Sequence, residues 1–139
     1  MLNSKSATFS KARVHTGSLR VPTMQIDLAV ELLQLGIQYH ESGDLERAAD
    51  YFFRSVEACP APISCLLWGL TLRHGWGVAV NPELGFKFIQ RAAEMVVTSL
   101  DKILKENQGE ETTKAVQAEL VLALHELGTS YRFGWGCTK

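Results

Sequence analysis

Cysteine, charge excess and long apolar runs are all scarce in this chain of 139 residues, and each scarcity closes off a class of protein. Only Cys59, Cys65 and Cys137 occur, an odd and dispersed set that builds no disulfide framework and favours a reducing compartment. With 14 Lys+Arg against 15 Asp+Glu the formal net charge is -1, so no basic excess draws the chain to nucleic acid or to an anionic membrane surface. No apolar stretch reaches the length of a signal-peptide core or a membrane-spanning helix, so membrane insertion is not expected and the chain reads as cytoplasmic. Its start is Ser/Thr-rich and basic with no acidic residue before Asp27, a composition shared with organelle transit peptides. No segment alternates polar and apolar residues far enough to argue for a strand, which predicts an all-α fold.

What is present is 46% hydrophobic and 21% charged, in a length that suits one domain. A chain of this size buries roughly two-thirds of its unfolded surface, enough for a core that needs neither disulfides nor metals. Residues 1–22 contain few large apolar residues and no periodicity, so ordering them costs entropy that little burial offsets. They read as a flexible basic tail, with Ser and Thr among Lys5, Lys11, Arg13 and Arg20 as conceivable kinase sites; a repeat domain over 23–139 follows.

Helical spacing begins at Met24, where Ile26, Val30, Leu33 and Ile37 form one row and Leu28, Leu32, Leu35 and Tyr39 its neighbour. Ser42-Gly43 ends that helix, and Asp44 caps a second that carries Ala48, Ala49, Phe52 and Val56 and stops before Pro60. A third opens at Ala61-Pro62 and runs to Gly75, with proline at an early position where its missing donor is harmless. Asn81-Pro82-Glu83 starts a long fourth helix to about Lys105, about 36 Å at the α-helical rise. After a polar break, Thr112 or Thr113 is placed to cap a last helix through Leu120, Leu124, Leu127 and Tyr131, which Gly134 ends.

Three copies of one pattern stand in the first helix of each predicted pair: Leu35-Gly36-Ile37-Gln38-Tyr39, Trp68-Gly69-Leu70-Thr71-Leu72 and Leu127-Gly128-Thr129-Ser130-Tyr131. A glycine there lets the partner helix approach closely. The second and third copies continue alike, as Arg73-His74-Gly75-Trp76-Gly77-Val78 and Arg132-Phe133-Gly134-Trp135-Gly136-Cys137. Glycines provide the positive φ that such a loop needs after a helix end, and the tryptophan pins the turn to the pair below. The copies fall near 28–60, 61–106 and 112–139.

Leu32, Leu35, Gly36, Tyr39, Gly43, Ala48, Phe52 and Pro60 stand in the spacing of a tetratricopeptide repeat, which this first copy resembles. From Trp68 to Ala93, the glycine, the Gly75-Trp76-Gly77-Val78 loop, Asn81 and the Gln90-Arg91-Ala92-Ala93 end are similar to a Sel-one-like repeat, a sister family with a longer loop between its helices. Together these resemblances cover most of residues 24–139. They imply an α-α superhelix of about two and a half helical hairpins, a solenoid used as an adaptor or regulatory scaffold in signalling or cell-wall regulatory complexes, a fungal regulator among them. Two departures stand out: the long fourth helix and linker stretch the glycine spacing from 33 residues (Gly36 to Gly69) to 59 (Gly69 to Gly128), and the third copy stops where a second helix would begin. The expectation is a fragment of a longer array or an unusual end, with an uncovered apolar side on the last helix.

Catalytic chemistry finds little support. Cys59, Cys65 and His74 match no common zinc spacing, and His40-Glu41 and His125-Glu126 are adjacent pairs that point apart on a helix rather than i, i+4 ligand pairs. No phosphate-binding glycine motif occurs, so no catalytic residue, metal or cofactor is assigned and the chain is not expected to be an enzyme.

The architecture that the resemblance implies instead offers an inner groove lined by the first helix of each pair, for a partner peptide or helix. Groove positions by that analogy are Leu33, Ile37, His40 and Glu41, then Leu66, Leu70, Arg73 and His74, then His125, Thr129 and Arg132. Arg73 and Arg132 occupy equivalent positions, and either they read an acidic partner by charge-assisted hydrogen bonds or they are solvated arginines near helix C-termini. Trp76 and Trp135 read as structural anchors. The alternative to groove binding is homodimerisation through the long fourth helix and the unpaired last one, where Leu120-Val121-Leu122-Ala123-Leu124 is apolar on nearly all sides.

Overall fold

A computed structural model describes residues 23–107 and 109–138, so the expected 1–22 tail lies outside the described residues. Within them the chain is all-α: α1 (Thr23–Glu41), α2 (Leu45–Ala58), α3 (Pro62–His74), α4 (Pro82–Glu106) and α5 (Glu110–Phe133). None of these helices is long and apolar enough to cross a membrane. α1 packs on α2 and α3 on α4 as helical hairpins, α2 joins the hairpins through α3, and α5 lies chiefly on α4. This succession is consistent with an α-α superhelix.

Local chemistry sets the helix ends. Asp44 accepts a hydrogen bond from the Arg47 amide (3.2 Å) and Asn81 one from the Leu84 amide (3.2 Å), each satisfying a donor that the first helical turn leaves free. Pro82 follows Asn81 directly, and Pro62 opens α3, where the Ala61 amide donates to Ser64 Oγ (3.0 Å). Gly75 and Gly134 close α3 and α5 in the left-handed region, with φ of 70° and 69°. The start of α5 departs from expectation: Gly109 rather than a threonine occupies its N-cap, and Thr113 is already helical, with its hydroxyl donating to the Gly109 carbonyl (3.2 Å).

The core runs through Ala48, Ala49, Phe52, Val56, Cys65, Leu66, Trp68, Leu72, Ile89 and Ala92. Ile89 is fully enclosed, a burial worth about 1.5–3 kcal/mol. Small residues make that packing possible. A Cβ on Gly36 would lie 2.6 Å from the Phe52 ring, and one on Gly69 would lie 2.8 Å from both the Gly85 carbonyl and Ile89. Each of these glycines therefore receives the second helix of its own hairpin. Gly128, the third member of the pattern, is different: nothing lies within 4 Å of the Cβ it would carry.

The two Gly-Trp-Gly loops repeat in space as they do in sequence. Gly77 (φ 80°) packs so closely on α2 that a Cβ would overlap the Leu45 carbonyl, and Gly136 (φ 77°) packs the same way on the Pro82 carbonyl of α4. Each loop thus seats on the first turn of the second helix in the preceding hairpin.

Gly69 and Gly128 should respond differently to alanine. Gly69→Ala should destabilise by about 1–3 kcal/mol through overpacking against a backbone carbonyl. At concentrations where the chain is monomeric, Gly128→Ala should stabilise it by about 0.5–1 kcal/mol, because within its own chain the helical site gains propensity without a clash. Urea denaturation followed by circular dichroism checks both, and equal signs at the two positions would contradict the packing.

Candidate functional site

Running side by side, α1 and α3 leave a groove floored by α2. Near the C-terminal ends of α1 and α3, Ile37, His40, Glu41, Phe52, Leu67, Thr71 and Trp76 line a cavity of about 140 Å³. Near their N-terminal ends, Ile26, Ala29, Val30, Leu33, Ser55 and Ile63 help line a second of about 120 Å³. Their α1 residues are centred about ten positions apart, which is about 15 Å at the helical rise. Ser55, itself buried, donates to the Ala29 carbonyl (2.7 Å) and ties the floor of the second cavity to its wall.

Of the expected groove residues, Leu33, Ile37, His40 and Glu41 do line these two cavities. Leu70 is half-buried and packs on the core. Leu66 is buried and faces α5 beside Leu122 and Ala123, not the groove. His125 and Arg132 are exposed on α5, with Arg132 over the Phe133 ring at 5.4 Å, and Thr129 turns its hydroxyl back to the His125 carbonyl (2.8 Å). No contact brings these three to the α1–α3 cavities. Phe52, Leu67, Thr71 and Trp76 were not among the expected lining. Leu67 and Thr71 carry an i, i+4 signal on α3, but it competes with the Leu66–Leu70 row for the same helix face.

Arg73 requires a correction. Far from reading a partner in the groove, its side chain is 4% exposed and held by α5. Nη1 donates to the Glu126 carboxylate (2.8 Å), and Nη2 donates to the Glu126 carbonyl (3.0 Å) and to Ser130 Oγ (2.7 Å), while the guanidinium lies 5.0 Å from the Trp135 ring centre. Ser130 is itself fully buried and donates onward to the Glu126 carbonyl (3.0 Å). A guanidinium taken out of water must be paired and bonded on all sides, and α5 supplies those partners. Since Arg73 is the only Lys or Arg on α3 and α1 has none, neither wall of the groove offers a free Lys or Arg, whereas α1 carries Asp27, Glu31 and Glu41.

Arg73 and His40 also reveal a repeated contact. Each lies four residues after its copy's glycine and meets the tryptophan of the next loop: His40 edge-on to Trp76 (5.1 Å between centroids), Arg73 over Trp135. His74 completes a ladder, stacked on Trp76 (4.7 Å) and edge-on to Trp135 (5.8 Å). Partial burial of His74, reinforced by the Arg73 charge and opposed by Glu126, lowers its pKa from the ordinary imidazole value. Burial pushes the Cys65 thiol up, against the pull of Arg91 and of a hydrogen bond to Ala61, and so suppresses its thiolate. Among the described residues no three His, Cys, Asp or Glu side chains gather to hold a metal ion.

Comparison with protein-family models, with curated proteins and with solved structures finds no match to the chain.

Removing Arg73 should leave the Glu126 carboxylate and Ser130 short of a partner, so Arg73→Ala should cost about 3 kcal/mol. The double variant Arg73→Met, Glu126→Leu should recover most of that loss, and Arg132→Ala should change stability by less than about 0.5 kcal/mol. Chemical denaturation of the set checks the cycle. Because the folded chain disfavours protonated His74, its unfolded form binds more protons as pH falls from the ordinary imidazole range towards the lowered pKa. Stability should fall across that window, and His74→Phe should flatten the pH dependence of the melting midpoint.

Proposed function

We propose that the chain is a non-catalytic interaction scaffold of the Sel-one-like and tetratricopeptide kind, which holds a partner peptide or helix in the α1–α3 groove. The observation that carries this reading is the pair of cavities in one groove, both walled mainly by apolar side chains and separated by about 15 Å. Such spacing suits two apolar anchors on one segment, about ten residues apart in a helix or four to five in an extended chain.

Groove polarity sharpens the partner. With Arg73 committed to Glu126 and with Glu41 at the rim of the first cavity, the α1 and α3 walls favour a segment whose apolar anchors are flanked by Lys or Arg, rather than an acidic one. Trp76 joins binding to architecture, since it lines the first cavity and holds the loop against His40. The reading supports an adaptor in a multiprotein regulatory complex inside the cell.

Selection of a random peptide display library against the full chain tests the proposal. Enriched peptides should carry two apolar anchors with basic neighbours, and Ile37→Glu should weaken them by about tenfold or more while leaving helicity unchanged. Peptides that bind Ile37→Glu and Val30→Glu as well as they bind the parent would place the binding surface elsewhere.

A further inference from the structure

Gly36 receives Phe52, Gly69 receives Ile89 and the Gly85 backbone, and Gly128 receives nothing. The equivalent face of α5 is largely uncovered and apolar: Val121 is 68% exposed, Leu124 51% and Tyr131, whose ring meets Phe86 of α4 edge-on at 5.5 Å, 47%, with Gly128 between them. These four positions are spaced by three, four and three residues, the seam along which two helices interlock at a shallow angle. The contact at the α3–α4 crossing shows what this seam accepts, namely an antiparallel helix that brings a branched apolar side chain over the glycine.

We infer that this face is a homodimer interface, in which α5 of a second copy takes the place that α2 and α4 hold over the first two glycines. The seam is its own complement in one antiparallel register. When Leu124 of one copy lies over Gly128 of the other, the two-fold axis repeats that contact, and Val121 of each copy meets Tyr131 of its mate. Every large residue of the seam then has a counterpart, and the missing glycine side chain becomes the hole for a leucine. Antiparallel packing also opposes the two helix dipoles. The flanking charges do not oppose it: Lys114 is paired with Glu110 in its own helix (2.7 Å), Arg132 falls beside Leu120 of the mate, and Glu126 faces inward to Arg73. His125 of each copy flanks the axis on the solvent side.

Sedimentation of the full chain from micromolar to millimolar concentration tests this directly. A reversible monomer–dimer equilibrium is expected. Leu124→Glu, which sets a carboxylate over each Gly128, should weaken the dimer about a hundredfold. Gly128→Leu should weaken it at least about tenfold while preserving helicity, because its own chain leaves that space open. Leu28→Glu, on the exposed face of α1, should change nothing. A concentration-independent monomer overturns the inference. A dimer that survives Leu124→Glu or Gly128→Leu, or that Leu28→Glu dissociates, overturns it as well. Peptide binding in the α1–α3 groove is independent of these α5 substitutions, so either reading can fail alone.

Discussion

Backbone meets backbone where α3 crosses α4, and the remaining architecture follows from that closeness. A side chain on Gly85 would lie 2.7 Å from the Gly69 carbonyl and 3.1 Å from the Arg73 amide, so two facing glycines bring the helices closer than any other pair of residues would allow. Ile89 is thereby enclosed one turn further along α4. Arg73, one turn after Gly69, leaves the crossing on the side of α5, where Glu126 and Ser130 take its charge. Helix pairing and hairpin-to-helix joining are thus consecutive consequences of one close approach.

The joints between units are of two kinds, and their chemistry differs. Apolar contact joins α2 to α3 through Phe52, Val56 and Trp68, with Phe53 tilted against Trp68 at 5.4 Å between centroids. The joint from α3 to α5 is polar and buried, a geometry that admits few alternatives because any displacement strands a charge. Above both lies the ring ladder from His40 through Trp76 and His74 to Trp135.

Much of this organisation is legible in the sequence. The five helices, their caps at Asp44 and Asn81 and their stops at Gly75 and Gly134 all follow from short-range rules and appear where those rules put them. Of the groove, the α1 positions Leu33, Ile37, His40 and Glu41 were legible through the resemblance to helical repeats, which places them on the inner helix, and they do line the two cavities. The α3 wall was not legible. Leu66, Leu67, Leu70 and Thr71 all have helical partners at three or four residues, and only packing decides that Leu67 and Thr71 turn to α1 while Leu66 turns to α5.

Arg73 and Arg132 show where local pattern stops. They occupy the same position in the same motif, yet one is sealed in an ion pair 53 residues distant in sequence and the other stands in solvent. The sequence determined helix, cap, repeated motif and loop because those depend on neighbours within a few residues along the chain. Burial, charge pairing and an open or filled glycine were decided by tertiary structure alone. Those properties depend on which helix comes next in space, and that differs between the second copy and the third.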